Sequence, residues 1–370
     1  MVGFGKSCVD QTHNFKEDRP PAVFFFCADY NRVVAKVDAK TLDWLMEGDP
    51  AIRWQVQRDL LNEKPAVYKK ERAKVATSGW GARYLAKQDK EGVWGNGLYS
   101  PKWKSTFYTL WTLRFIGLPA RHPQAMKACR ILMEEGFRPD HGIDFGGEGA
   151  RRRRVKAGKP APKPRGHGET CETGMALAMF SFFQLGDERI DLIAEHLIEH
   201  QMKDHGWNCQ YPYRGATHAS FNTTLLALEG LREYQEYRPK NKLPIKEALA
   251  NGREFLVQHR LYRSHRTGNI VSSSFTRFPA QPTWRYNFLS ALDHFQAARA
   301  PRDKRLQDPI DLLLSRRDDS GRWPEYSVGT AASVWFQMEQ ASKPSRWNTL
   351  RALRVLKWWE GRQSVNPRIN

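Results

Sequence analysis

Apolar positions recur along this chain with a helical period, and they do so in pairs of runs that differ in character. The first run of a pair is amphipathic, as in ACRILMEEGFRPDHGIDF at 128 to 145 or REFLVQHRLYRS at 253 to 264. The second is more continuously apolar: STFYTLWTLRFIGL at 105 to 118, TGMALAMFSFFQLG at 173 to 186, SFNTTLLALEGLREY at 220 to 234, YNFLSALDHFQAA at 286 to 298 and TAASVWFQMEQA at 330 to 341. Five helix–turn–helix units follow, at roughly 78–118, 128–186, 197–234, 253–298 and 312–357. LDWLMEGDPAIRWQVQRDLLNE at 42 to 63 adds an outer or capping helix, with Asp49-Pro50 as a helix-starting pair.

The turns inside these units repeat as well. QDKEGVW at 88 to 94, QMKDHGW at 201 to 207 and RRDDSGRW at 316 to 323 each end a helix, turn on polar residues, allow a tight conformation at Gly and close on Trp. Ser105, Thr106, Ser220, Asn222 and Thr330 suit the helix starts that follow, because their side chains can accept backbone N–H bonds left open there. A helical hairpin with one apolar face cannot bury itself, so hairpins in series must stack. The expected fold is all-α: a single α/α toroid of five to six helical hairpins in two concentric layers, with an open solenoid scaffold as the alternative. Residues 1–38 form an arm of unsettled order that can also pack as a strand; 39–362 are the toroid domain with a basic loop at 149–166; 363–370 are a tail.

Composition narrows the class only modestly. At 370 residues with 40% apolar content the chain can bury a large core, and a formal charge of +19 favours phosphates or acidic surfaces without choosing among them. The cysteines, Cys8, Cys27, Cys129, Cys171 and Cys209, are odd in number and few, which speaks for a reducing, cytoplasmic setting over a disulfide framework. The early run AVFFFCA is too short to span a bilayer, though peripheral membrane contact stays open. No nucleic-acid module accompanies the basic charge, so nucleic acid is not an expected partner.

The Q-x-x-x-x-G-W layout, the alternating helix character and the Trp placement resemble the α/α-toroid superfamily of squalene and hopene cyclases, other class II terpene cyclases and the β subunits of protein prenyltransferases, over about residues 42 to 360. The resemblance implies that Gln88, Trp94, Gln201, Trp207 and Trp323 tie the layers together around an apolar central cavity. It also implies a hydrophobic, isoprenoid small-molecule substrate, cyclised or transferred, and for the prenyltransferases a protein partner. Two features depart from it: no D-x-D-D motif occurs, and the chain has room for one toroid only. Protonation would then need another acid, Glu169, Glu172 or Asp204, with its pKa raised by burial.

GHGETCETGMAL at 166 to 177 concentrates the remaining chemistry. His167, Cys171, Cys209 and His218 are zinc-ligand types, and successive hairpins can bring them to one end of a barrel. Asp204, Cys209 and His218 match the ligand types of prenyltransferase β subunits; Cys171, Cys209 and His218 match those of toroidal lanthipeptide cyclases. Arg151, Arg152, Arg153, Arg154 and Arg165, in a stretch read as a surface loop, can hold a diphosphate. Arg277, Trp284, Arg285 and Tyr286 belong to a second loop at the same mouth, and Phe107, Trp111, Phe180, Phe183, Phe221 and Phe288 are aromatic faces for a cationic intermediate. The readings carried forward are an isoprenoid cyclase or prenyltransferase, a helical-repeat binding scaffold with structural zinc, and a zinc-dependent thiol-modifying peptide enzyme.

Overall fold

In the computed structural model, residues 38–160, 163, 165–326 and 334–361 are described. Among them the chain is all helical apart from turns and isolated bridges. It runs α1 (Ala39–Met46), α2 (Pro50–Gln55) continued by a π-helical turn Val56–Leu60, α3 (Pro65–Ala73), α4 (Gly79–Leu85), α5 (Thr106–Ile116), α6 (Pro123–Gly136) and α7 (Glu148–Lys156). Then follow α8 (Thr170–Phe182), α9 (Arg189–Glu199), α10 (Phe221–Tyr237), α11 (Ile245–Gln258), α12 (Phe288–Ala297), α13 (Gln307–Ser315) and α14 (Arg346–Glu360). The expected N-terminal arm up to residue 37, the C-terminal tail, Cys8, Cys27 and Thr330 lie outside the described residues.

Six hairpins alternate an amphipathic helix with a buried one: α1 with α2, α4 with α5, α6 with α8, α9 with α10, α11 with α12 and α13 with α14. The 42–63 stretch is thus a complete hairpin and not a lone cap. Asp49 caps α2 by accepting from the backbone N of Ala51 at 2.9 Å, and it also accepts from Trp80 N at 2.7 Å. The buried helices touch in the order α5, α8, α10, α12, α14, and α14 packs against α2. Trp54 of α2 donates its indole N–H to the Ile116 carbonyl at the end of α5, at 3.0 Å. The backbones of α8 and α10 come close together at Gly174 and Gly230, since a Cβ on Gly230 would stand 2.5 Å from the Gly174 carbonyl oxygen.

The three repeat turns are built alike. Trp94, Trp207 and Trp323 are each 0% exposed. Their indole N–H groups donate to Tyr84 O at 2.7 Å, Leu197 O at 2.6 Å and Leu313 O at 2.7 Å, always ten residues back. Their backbone N–H groups donate to the hydroxyls of Thr106, Thr224 and Thr349 on the following buried helix, at 3.0, 2.9 and 3.0 Å. Gln88 and Gln201 span their own turn and the start of the next outer helix, reaching Gly92 and Gln124 in one case and His205 and Ala248 in the other. Arg317 takes that position in the third repeat and donates to Gly321 O at 3.0 Å.

Two expectations need correcting. The run 330–341 does not supply the last buried helix: its described part, from Val334, is bends and turns, and the helix is α14, capped by Ser345 accepting from Asn348 N at 2.9 Å. The threonine that receives the Trp323 N–H lies 26 residues on, against 12 and 17 in the other repeats, so the periodic run fills a lengthened connection. The basic stretch is likewise not all loop, because Glu148–Lys156 forms α7. Glu148 anchors it by accepting from the backbone N–H groups of Leu98, Tyr99 and Ser100 at 2.8, 2.7 and 2.8 Å.

Candidate functional site

A cavity of about 630 Å³ lies among the buried helices, walled mainly by their C-terminal halves and by the π-helical turn after α2. Its lining departs from the apolar wall expected. Eight arginines and five carboxylates face it, together with Trp54, Trp111, Phe115, Phe182 and Trp284. Of the six aromatic residues expected on the wall only Trp111 is there; Phe107, Phe180, Phe183 and Phe288 are 0% exposed and pack into the core, and Phe221 packs against Phe255, Phe275 and Tyr286.

The charges are ordered. Glu229 of α10 bonds to Arg114 of α5 and accepts from Arg232 at 3.2 Å; Glu233 accepts from Arg114 at 2.7 Å and from Arg232 at 2.8 Å. Asp293 of α12 is shared by Arg351, at 3.1 Å, and Arg354 of α14, and Arg354 also reaches Gln55 at 2.8 Å. Burial raises the Glu229 carboxyl pKa, but Arg232, Arg114 and His294 together outweigh it and hold the group well below its ordinary value. The same contest, with Arg354 and Arg351 winning over burial, lowers Asp293.

His294 stands apart from these ion pairs. It lines the cavity, is 2% exposed, and its Nδ1 lies 2.7 Å from Glu229 Oε1. An ionised carboxylate can only accept, so the shared hydrogen belongs to Nδ1. Burial lowers the imidazole pKa, which leaves a neutral ring with its lone pair on Nε2. Nε2 is buried and has no hydrogen-bond partner among the described residues. A carboxylate-oriented imidazole with a free Nε2 is the arrangement that accepts or returns a proton. The sequence reading missed this group. Its signal was present: Arg114 is the one charged residue of α5, and Asp293 with His294 interrupts the apolar run of α12.

The residues singled out from sequence lie elsewhere, mostly at the N-terminal end of α8. Cys171 and Cys209 come together, the Cys171 thiol donating to Cys209, which brings the Cys209 pKa down to about 7 and raises that of Cys171 well above its ordinary value. The other two expected ligands do not complete a cluster with them: His167 stacks on Tyr213 at 4.0 Å, and His218 is exposed, its carbonyl accepting from Asn208 at 2.7 Å. Glu172 is buried and accepts from Phe145 N at 2.7 Å; burial first, then Glu169 and Asp144, push its pKa well up. Glu169 pairs with Arg165 and with Arg214, the latter at 2.8 Å, and Asp204 accepts from Ala219 N at 2.7 Å. None of these lines the cavity.

Nor do the described side chains of the basic stretch. Arg165 is tied to Asp144 at 3.2 Å, Arg151 lies 3.9 Å from Glu135, and Arg154 donates to Pro160 O at 3.0 Å; Arg152 and Arg153 belong to α7. Trp284 and Arg285 do line the cavity, whereas Arg277 is exposed and Tyr286 is buried with its hydroxyl donating to Leu261 O at 2.6 Å. Among the described residues, one group of three or more His, Cys, Asp or Glu side chains brings its donor atoms within 4.8 Å of one another and can hold a metal: Asp140, His196 and His200. No helix among the described residues is long and apolar enough to cross a membrane.

No protein-family model matches the chain, and no curated protein matches it either. Among solved structures it is similar to a protein from Actinoplanes, with 14% identity and a TM-score of 0.45 over 84% of this chain and 90% of that one. It is also similar to the type II terpene cyclase MstE from Scytonema in its apo form, with 13% identity and a TM-score of 0.30 over 78% of this chain and 96% of that one. A variant of that cyclase in complex with geranylgeranyl dihydroxybenzoate gives the same figures.

Proposed function

We propose that the six hairpins close into a single α/α toroid over about residues 39–362, and that its central cavity is the active site of a prenyltransferase-like or terpene-cyclase-like enzyme. Its substrate is an isoprenoid with an anionic head, such as a prenyl diphosphate. The observation that carries this reading is the cavity wall, where arginines outnumber carboxylates eight to five and the remaining surface includes three tryptophans and two phenylalanines. Arginine forks suit phosphate oxygens, and aromatic faces suit an apolar chain and any positive charge that develops along it. Arg72, Arg285 and Arg299 are the cavity arginines with no carboxylate bonded to them among the described residues; Arg72 is committed to the Gly117 and Leu118 carbonyls, so Arg285 and Arg299 are assigned to the head group. His294, held by Glu229, takes up the proton released when a carbocation is quenched or a nucleophile adds.

A thiol-modifying peptide enzyme is less well supported, since Cys171 and Cys209 lie side by side as free thiols away from the cavity and His218 is at the surface. The test is calorimetric titration of the full chain with geranylgeranyl diphosphate, geranylgeraniol and inorganic diphosphate, followed by product analysis. The diphosphate ester should bind best, and the double variant R285A/R299A should weaken it about tenfold or more. Binding of inorganic diphosphate alone, with no gain from the prenyl chain, would reduce the site to an anion-binding scaffold; binding of none of the three would remove the reading.

A further inference from the structure

The geometry points to a divalent transition-metal site outside the cavity, made by Asp140, His196 and His200. His196 and His200 are four residues apart at the C-terminal end of α9, which puts both rings on one helix face, stacked with centroids 3.8 Å apart. Helical His pairs at this spacing are a recurrent way to present two imidazoles to one ion. Asp140 arrives from the turn after α6, so the three residues join two neighbouring hairpins.

The hydrogen bonds around these side chains prepare them as ligands. His196 Nδ1 lies 2.7 Å from the Asp140 carbonyl oxygen, and His200 Nδ1 lies 2.8 Å from the His196 carbonyl oxygen. A carbonyl oxygen only accepts, so both protons sit on Nδ1 and both Nε2 lone pairs are free. This is how the outer contacts of metal-bound histidines fix the ring and its tautomer. His196 is 2% exposed, and its Nε2 is buried with no partner among the described residues. A buried polar atom of this kind is costly to leave unpaired, and a bound ion would satisfy it.

Asp140 is positioned with equal care. Its carboxylate accepts from Gly168 N at 3.0 Å on both oxygens, from Gly142 N at 3.1 Å and from Tyr213 Oη at 3.1 Å, so a cation would take the place of the exposed Tyr213 hydroxyl. One donor atom of each of the three residues lies within 4.8 Å of the others. Four-coordinate zinc with bonds of about 2.0–2.1 Å sets donors roughly 3.4 Å apart. From that limit the donors close by up to about 1.4 Å, and Asp140 and His200, both partly exposed, are the side chains that would move. Two imidazoles and a carboxylate favour zinc, cobalt or nickel over calcium or magnesium, and three protein ligands leave a fourth position for water.

The test loads chelator-treated full-length protein with Zn²⁺ or Co²⁺, counts bound metal after dialysis, and follows the cobalt absorption bands and the melting temperature. Wild type and C209A should each keep one ion per chain and gain thermal stability from it. H200A, altered at the partly exposed end of α9, should keep the helical circular dichroism signal and lose binding at least tenfold, as should D140N. Should D140N fail to fold, because its carboxylate also holds backbone amides, H200A decides alone. Metal retained in full by H200A, lost in C209A, or absent from the wild type would overturn the assignment. The site shares no residue with the cavity, so the outcome is independent of the substrate reading.

Discussion

His294 on α12 and Glu229 on α10 share a hydrogen bond of 2.7 Å across the cavity wall, although 65 residues separate them. Glu229 serves two arginines at the same time, so one carboxylate both closes a buried ion network and sets the tautomer of the imidazole. The stability and the proton chemistry of this part of the protein are therefore linked through a single side chain.

Glu229→Gln keeps the shape but removes the negative charge between Arg114 and Arg232. Breaking one side of a buried network leaves charge uncompensated, which typically costs about 3–5 kcal/mol. Urea unfolding should show a loss in that range. A change under about 1 kcal/mol would mean that Glu233 alone suffices for the arginines.

The pH dependence follows from the same pair. The His294 pKa is lowered from 6.5 in the folded protein, so the unfolded chain binds that proton more readily. Stability from this group is present above pH 6.5 and is lost as pH falls below it. Glu229, lowered from 4.5, adds a second loss as pH falls below that value. Unfolding free energies of wild type and H294Q, measured from pH 7 to pH 4, should converge as the acid end is approached; parallel curves would contradict the assignment.

Trp207→Phe retains an aromatic ring but removes the 2.6 Å bond to the buried Leu197 carbonyl and part of the packed volume. The expected loss is about 2–4 kcal/mol by chemical denaturation. Trp94→Phe and Trp323→Phe should behave alike, since the three turns share one geometry. Widely different losses would show that the repeats are not energetically equivalent.

Cys209, brought to about pKa 7 by the Cys171 thiol, should be the thiol most readily alkylated near neutrality among the three described. Mass-spectrometric mapping of iodoacetamide labelling should show its rate rising between about pH 6 and pH 8, with Cys129 unmodified because it is fully buried. Cys171→Ser, whose hydroxyl donates in place of the thiol, should keep much of that reactivity, while Cys171→Ala should shift the profile to higher pH.

Much of the architecture was legible because it rests on local rules. The alternation of amphipathic and apolar runs marked the hairpins, and Gly-Trp turns marked where helices end, since helical period and turn chemistry act over a few residues. The periodic run at 330–341 misled because period alone does not distinguish a helix from a connection that packs its apolar residues.

The site was less legible. His167, Cys171, Cys209 and His218 were grouped by chemical type, yet only the two cysteine thiols come together. Which side of a buried helix faces a cavity depends on how its neighbours pack, and this brought Glu229 to His294, and Asp140 to a His pair 56 residues away. By itself the sequence determined most of the helices and hairpins and the tryptophan turns, because those follow from nearest-neighbour chemistry. Only the tertiary structure decided that the cavity is lined with arginine and that the His294 imidazole facing it keeps a free nitrogen, because charge placed among apolar residues acquires its meaning from partners far along the chain.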